Sequence, residues 1–392
     1  MAFNALEKKA LTGLSLLYAS RMLGLFMVLP VLTLYGQDLD GATTQLLGLA
    51  LGIYGITQAV LQLPLGMLSD RVGRKPVILA GLGVFLAGSV LAALADHVLW
   101  LVVGRALQGA GAIASVVLAL LADYTRESER TKAMAIVGAI IGASFVLAVI
   151  VGPILADAFD LSGVFWSTAL LALLGMAVLA WLPHPPQARV HEERQLHLRQ
   201  LGAVLGDRRL SPLSLGIFSL HLTMTALFVG LPVVLTRQGI GGDQLGWVYA
   251  PVMVLSFVAM VPMIMVAERR KAHVPVLRWA AVLLALAVLG LGFSESAALS
   301  IGLIWLFFVG FNFMEATLPS LISRRAPVTA RGTAMGVFST SQFLGAACGG
   351  LVGGWAFSTF DMTGIAAISL AVILLWLVIV WWAERRDEKW AY

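Results

Sequence analysis

Charge is scarce in this chain. Asp, Glu, Lys and Arg make up 12% of its 392 residues, about half the share found in soluble domains. Hydrophobic residues account for 59% and the mean hydropathy is +0.92. A soluble core cannot absorb that much apolar surface, so lipid must be the solvent for most of the length. Cysteine is nearly absent: a lone Cys348 excludes an intrachain disulfide, and its Gly-rich surroundings suit a small packing residue. The chain also lacks a phosphate loop, a metal-ligand cluster and a nucleophile elbow. No metal, no cofactor and no enzymatic activity are therefore expected. The net charge of +5 does not point to nucleic acid, because the basic residues lie in separate short groups, as anchors on an anionic leaflet do.

All but three of the 26 Lys and Arg residues fall in seven short segments: Lys8–Lys9, Arg71–Lys75, Arg126–Lys132, Arg189–Arg209, Arg269–Arg278, Arg324–Arg331 and Arg385–Lys389. Between these lie turns that carry acids instead, namely Asp38 and Asp40, Asp96, Asp160, Asp243, Glu295 and Asp361. Cytoplasmic loops collect Lys and Arg, so the alternation predicts twelve spans with both termini in the cytoplasm. The spans are expected near 11–36, 43–69, 75–96, 98–122, 132–159, 162–183, 211–238, 243–267, 274–294, 297–322, 330–357 and 361–383. Leu11 to Gly36 is too long for the apolar region of a signal peptide and contains Arg21, so it is expected to persist as span one. The pattern suits the inner (plasma) membrane of a bacterium, with the lipid bilayer as the chain's main partner.

The longest polar stretch, His184 to Arg209, opens with Pro185-Pro186 and carries Leu198, Leu201 and Leu205 on one stripe. It reads as a cytoplasmic linker with a surface helix. It divides the chain into a six-span half (1–183), a linker (184–210) and a second six-span half with a short tail (211–392). The halves repeat at a spacing of about 200 residues. Phe26-Met27-Val28-Leu29-Pro30-Val31 is echoed by Phe228-Val229-Gly230-Leu231-Pro232-Val233, and Arg130-Thr131-Lys132-Ala133-Met134 by Arg331-Gly332-Thr333-Ala334-Met335. Parallel six-span repeats are a transporter architecture.

The turn between spans two and three reads Gly66-Met67-Leu68-Ser69-Asp70-Arg71-Val72-Gly73-Arg74-Lys75-Pro76. It resembles the signature loop of the major facilitator superfamily. Leu101-Val102-Val103-Gly104-Arg105-Ala106-Leu107-Gln108-Gly109 is similar to the family's span-four motif, and Gly142 with Gly152-Pro153 resembles its antiporter motif in span five, with Ala148 and Ala156 where glycines are expected. The resemblance covers the whole chain. It is nearest to inner-membrane members that continue into a small soluble C-terminal domain, whereas this sequence stops at Tyr392. It implies an all-α polytopic membrane protein of two pseudo-symmetric six-helix halves. It further implies a gating latch made by Gly66, Asp70, Arg71, Gly73 and Arg74, with Asp123 as charge partner; a folding and topology role is the other reading of that loop. In the second half, Glu268-Arg269-Arg270-Lys271 keeps the charge and loses the glycine pattern. Gly109-Ala110-Gly111 imitates a dinucleotide fingerprint, but no strand precedes it.

Four ionisable residues lie inside spans, where a charge is costly and functional by default. Arg21 is about 15 Å along span one at ~1.5 Å per residue. Arg105 is in span four, His221 in span seven and Glu315 in span ten, and by resemblance these four spans line a central cavity. Glu315 and His221 can change charge at accessible pH and are proton-coupling candidates. Arg21 and Arg105 stay charged and suit tuning such a carrier or holding an anionic group. A static ion pair of an arginine with Glu315 is the other reading. Tyr54, Gln58 and Gln62 share one stripe of span two. With Gln108 and Asn312 they are candidates for substrate hydrogen bonds, and contact with span eleven is their alternative. Gly152, Pro153, Gly349 and Gly353 are hinge or packing positions. The favoured expectation is a monomeric secondary transporter exporting a small amphipathic molecule against inward proton flow, an antiporter working by alternating access. Sugar or metabolite export, uniport, and a sensor that binds without transport are the alternatives.

Overall fold

The computed structural model describes residues 3–183, 198–327 and 330–386. Its regular elements are helices: α1 Ala5–Phe26, α2 Leu32–Tyr35, α3 Thr44–Val72, α4 Arg74–Ala93, α5 Val98–Ala110, α6 Ala114–Tyr124, α7 Glu127–Trp181, α8 Leu198–Gly206, α9 Ser211–Arg237, α10 Gly242–Arg269, α11 His273–Gly292, α12 Ala297–Arg325 and α13 Arg331–Arg386. The first part of the linker, residues 184–197, and the tail from residue 387 lie outside the described residues.

Nine described stretches are long and apolar enough to cross a membrane, with α5 and α6 together forming one of them. Two of the nine must cross twice. α7 has 55 residues and α13 has 56, each about 80 Å if straight, against a hydrocarbon core of about 30 Å. Each is interrupted at one place. α7 breaks at Phe159 and Asp160, and α13 breaks at Asp361, where φ is 57° for both aspartates. Phe159-Asp160 recurs as Phe360-Asp361, so the internal repeat extends to the break in the long helix of each half. α1, which carries Glu7, Lys8, Lys9 and Arg21, completes the twelve-span all-α fold. It begins earlier than expected, capped by Asn4, and ends at Phe26, four residues before Pro30.

The chain divides into two compact units, residues 1–195 and 196–392. In the first, α1 packs along α7, and α4 lies against both α5 and α7. In the second, α9 packs along α13, and α11 lies against α12 and α13. The outward faces are apolar, as lipid requires: Val254, Leu255, Val258 and Val261 on α10 and Leu170, Leu173 and Leu174 on α7 are exposed. α8 lies against α9 and α13. It buries Val204, while Leu205 of the expected stripe is 57% exposed.

Span four is not continuous. α5 stops at Ala110 and α6 resumes at Ala114, with Gly111 at φ −70°, ψ 42°. Glycines allow this bend because α4 approaches closely: a Cβ on Gly111 would lie 2.5 Å from the Gly81 carbonyl oxygen. At the break the Gly111 carbonyl accepts from the Ile113 N–H at 2.9 Å instead of closing an i→i+4 helical bond, and it also becomes part of a polar site.

The turns that follow the second span of each unit solve one problem differently. Between α3 and α4, Gly73 takes φ +98°, a region open to glycine. In the matching turn between α10 and α11, Lys271 takes φ 51°, a conformation that costs roughly 1–2 kcal/mol for a residue with a Cβ.

Candidate functional site

In the first unit the polar residues of five spans form two joined networks. Arg21 reaches from α1 with its Nη2, which donates to Gln58 Oε1 at 2.6 Å, the Gly111 carbonyl at 3.2 Å and the Tyr54 hydroxyl at 3.3 Å. Gln58 Nε2 continues to Gln62 Oε1 at 3.2 Å. Arg105 on α5 donates from Nε to the Ala50 carbonyl at 3.2 Å and from Nη1 to Gln108 Oε1 at 2.7 Å. Gln108 Nε2 then donates to Ser89 Oγ at 2.8 Å and Thr168 Oγ1 at 3.4 Å. The Tyr54 ring joins the networks: its face lies 4.8 Å from the Arg105 guanidinium carbon, a cation–π distance.

These positions sharpen the expectations. Tyr54, Gln58, Gln62 and Gln108 are all buried, and their polar atoms meet protein groups. Arg105 and Gln108, three residues apart on one helix, do share a face. Tyr54, Gln58 and Gln62 hold Arg21 and one another.

In the second unit, His221 on α9, Glu315 on α12 and Gln342 on α13 converge. Gln342 Nε2 lies 2.9 Å from His221 Nε2 and 3.2 Å from Glu315 Oε1. His221 Nε2 is 3.8 Å from Glu315 Oε2. On the other side of the ring, Nδ1 is 3.2 Å from the Ile217 carbonyl. A carbonyl only accepts, so Nδ1 carries a proton and neutral His221 presents a lone pair at Nε2. Glu315 Oε2 is a buried oxygen with no hydrogen-bond partner. The Gln342 amide N–H fills that lone pair, so the open acceptor for a further proton is Glu315 Oε2, 3.8 Å from the imidazole nitrogen. Asn312, one turn before Glu315, is occupied by Ser256 at 3.0 Å. Of the apolar residues nearby, Met224 and Phe228 line a void with Phe307 and Phe308. It is about 10 Å³, room for no more than one water.

At the turn between α3 and α4 of the first unit, Arg74 stands between two acids. Its Nη2 is 2.5 Å from Asp70 Oδ1, its Nε 3.3 Å from Asp123 Oδ2, and its Nη1 donates to Ser69 Oγ at 2.5 Å. The signature-loop residues Asp70 and Arg74 and the separate Asp123 thus meet in one cluster. Gly73 caps α3 beside it, Arg71 is exposed, and Gly66 packs toward Ser115. Gly152, Gly349 and Gly353 each lie against a neighbouring backbone, at Met27, Leu222 and Ala226. Pro153 sits within α7 directly after Gly152.

Two groups are missing from the expected site residues. Gln342 carries no charge and is expected from the sequence only, with Ser339, as the span-eleven contact of the Tyr54, Gln58 and Gln62 stripe. The second is Glu7, 2% exposed. It closes a capping box with Asn4 and accepts from the Arg126 backbone N–H, Nε and Nη2, each at 2.9 Å. The Asn4…Glu7 spacing was legible as a capping box; the distant Arg126 was not. The Arg126 side chain, opposed by burial and aided by the backbone N–H bonds, holds the Glu7 carboxyl down at about 2, against its ordinary 4.5. A lowered folded value means that this stabilisation is full above pH 4.5 and fades as pH falls toward 2. Glu7→Gln is expected to cost about 2 kcal/mol at neutral pH, the scale of hydrogen bonds to a charged group. Melting curves in detergent should show the gap between wild type and variant closing below pH 4. A gap unchanged from pH 7 to pH 3 would contradict the assignment.

Comparison with known proteins agrees with this architecture. The chain matches the profile of the Major Facilitator Superfamily over residues 14–347 and again over 213–391. It is 45% identical to the inner membrane transport protein YajR of Escherichia coli K12, over 95% of this chain and 83% of that protein. It is 28% identical to the multidrug resistance protein MdtH of Yersinia enterocolitica, over 94% of this chain and 93% of that one. Among solved structures, a bacterial homologue of the human lysosomal transporter Spinster superposes with a TM-score of 0.77 at 14% identity, covering 100% of this chain and 99% of the other.

Proposed function

The chain belongs to the major facilitator superfamily, and from that membership we propose that it exports a small amphipathic compound in exchange for inward-moving protons. It is a multi-pass membrane transporter of small molecules, not an enzyme. Proton coupling drives the export. The observation that carries it is the buried, unpartnered Glu315 Oε2 opposite the Nε2 of His221. A carboxylate and an imidazole that face each other between two spans can hold one shared proton at little cost and two charges only at a large one. That is the behaviour required of a group that loads on one side of the membrane and unloads on the other. Efflux is favoured by the relationship to a protein named for multidrug resistance and by the partial antiporter motif around Gly152 and Pro153.

In this reading the halves are 1–183 and 211–392, joined by 184–210. The chain works as a monomer in the inner membrane with both termini in the cytoplasm. The Asp70–Arg74–Asp123 cluster re-forms and breaks in each cycle of alternating access. The test is flux in proteoliposomes, using compounds selected by thermal stabilisation of the purified protein. Antiport predicts uptake only when the lumen is acidic relative to the bath. Uptake that persists without a pH gradient indicates uniport, and binding without any flux contradicts transport.

A further inference from the structure

Two arginines are buried in the first unit, and they are not in the same state. Arg105 is 1% exposed, and none of its fully buried nitrogens lacks a partner. Arg21 is 3% exposed, and its Nε and Nη1 are both buried with no hydrogen-bond partner. All of its contacts fall on Nη2. Three N–H donors of a guanidinium that cannot deprotonate are thus left unmatched in a region from which water is excluded.

The charge is unmatched as well. The groups that Arg21 meets are a phenol, an amide and a backbone carbonyl. Gly111 follows the C-terminal end of α5, whose dipole supplies roughly half a negative charge. That offsets part of one cation, and Arg105 is a second cation close by, over the ring of the same Tyr54. The buried carboxylates described in this unit are Glu7 and Glu129. Glu7 is about 20 Å from Arg21 along α1 at ~1.5 Å per residue and is already taken by Arg126. Glu129 lies in the first turn of α7. The span interior of this unit therefore holds two cations and no anion. A buried charge left so costs several kcal/mol. A structural role would be served as well by a neutral side chain, which would not carry that cost.

We propose that Arg21 is a binding residue for an anionic group, a carboxylate or phosphate ester on an amphipathic substrate, received at the free Nη1 end of the guanidinium while Tyr54, Gln58 and the Gly111 carbonyl hold Nη2. The neutral partners fix the orientation of the fork without cancelling its charge, and the break in span four supplies the carbonyl that does so. This assigns the substrate a charge class that the transport reading left open. It rests on that reading for what the anion is, whereas binding is measurable without transport.

The experiment uses the purified full chain in lipid-free detergent, which removes anionic headgroups as a source of the anion. Melting temperature is followed at fixed ionic strength with benzoate, octanoate and phenyl phosphate, each against its neutral counterpart benzamide, octanamide or phenol. At least one anion is expected to raise the melting temperature saturably, by about 3 °C or more, with its neutral counterpart inert. Arg21→Gln should abolish the shift, and Arg21→Lys should weaken it. The ligand-free Arg21→Gln protein should melt no lower than wild type. Equal shifts with anion and neutral counterpart, no shift with any anion, a shift that survives in Arg21→Gln, or a strongly lowered ligand-free melting temperature would each overturn the assignment. A wild-type anion response reappearing only when an anionic lipid is added would identify a lipid site and overturn the substrate claim. Proton-driven flux without anion discrimination refutes Arg21 alone; anion binding without flux refutes the transport reading and leaves the site standing.

Discussion

Glu315→Gln is expected to reduce pH-gradient-driven transport by about 100-fold or more, the scale lost when a proton-transferring group is removed, while leaving substrate exchange without a gradient intact. The substitution is nearly isosteric. Its amide can still meet Gln342, which lies 3.2 Å from Oε1, and it places a group of the same size beside His221. What it removes is the capacity to gain and lose a proton. Proteoliposomes loaded with labelled substrate separate the two activities, since exchange needs only binding and reorientation and net movement against a gradient needs the proton. A variant that couples fully would remove Glu315 as the carrier and leave His221 as the candidate. A variant that neither exchanges nor couples, yet melts as wild type does, would mark Glu315 as a substrate ligand.

Gly349→Val should be the most damaging single change to the fold. α13 lies along α9 on a seam of glycines one turn apart. Added Cβ atoms on Gly345 and Gly349 would run into the backbone carbonyls of Phe218 and Leu222, and one on Gly353 would meet Ala226. Small residues at this spacing let two helix backbones touch, which replaces the hydrophobic driving force that lipid cannot supply. A clash with backbone is not relieved by rotating a side chain, so the cost should reach about 3 kcal/mol or more, the upper range for overpacking. Loss of the monodisperse peak in size exclusion, or a large drop in melting temperature, is the expected readout. Gly302→Ala is the control: nothing lies within 4 Å of a Cβ there, and alanine in an exposed helix position should be neutral or slightly stabilising. Equal behaviour of the two variants would refute the packing account.

The fold was largely readable from residue patterns because its causes are local. Span length follows from bilayer thickness, and the twelve-span reading needed only apolar runs separated by basic and acidic turns. The signature loop and Asp123 could be paired in advance because both are expected at the same, basic-residue-rich ends of spans and carry opposite charges. Other features depend on where distant residues meet. The break after Ala110 looks in sequence like another Gly-rich stretch, and only the packing of Gly81 and Gly111 shows that the helix gives way there. Gln342 is an ordinary polar residue until His221 and Glu315 are placed around it. Arg126 appeared as one of many cytoplasmic anchors, whereas it forms a buried-end ion pair with Glu7 across the unit. Arg21 and Arg105 looked equivalent as intramembrane cations. The difference between them, one satisfied and one not, is a property of hydrogen bonds that spacing cannot reveal.

The sharpest measurement of the coupling itself is made without any imposed pH gradient. Proteoliposomes carrying a luminal pH dye are given a gradient of a bound compound alone. Antiport through the Glu315–His221 pair predicts that the substrate gradient drives protons the opposite way, visibly in wild type and not in Glu315→Gln. Substrate moving at the wild-type rate with no change in luminal pH would contradict it.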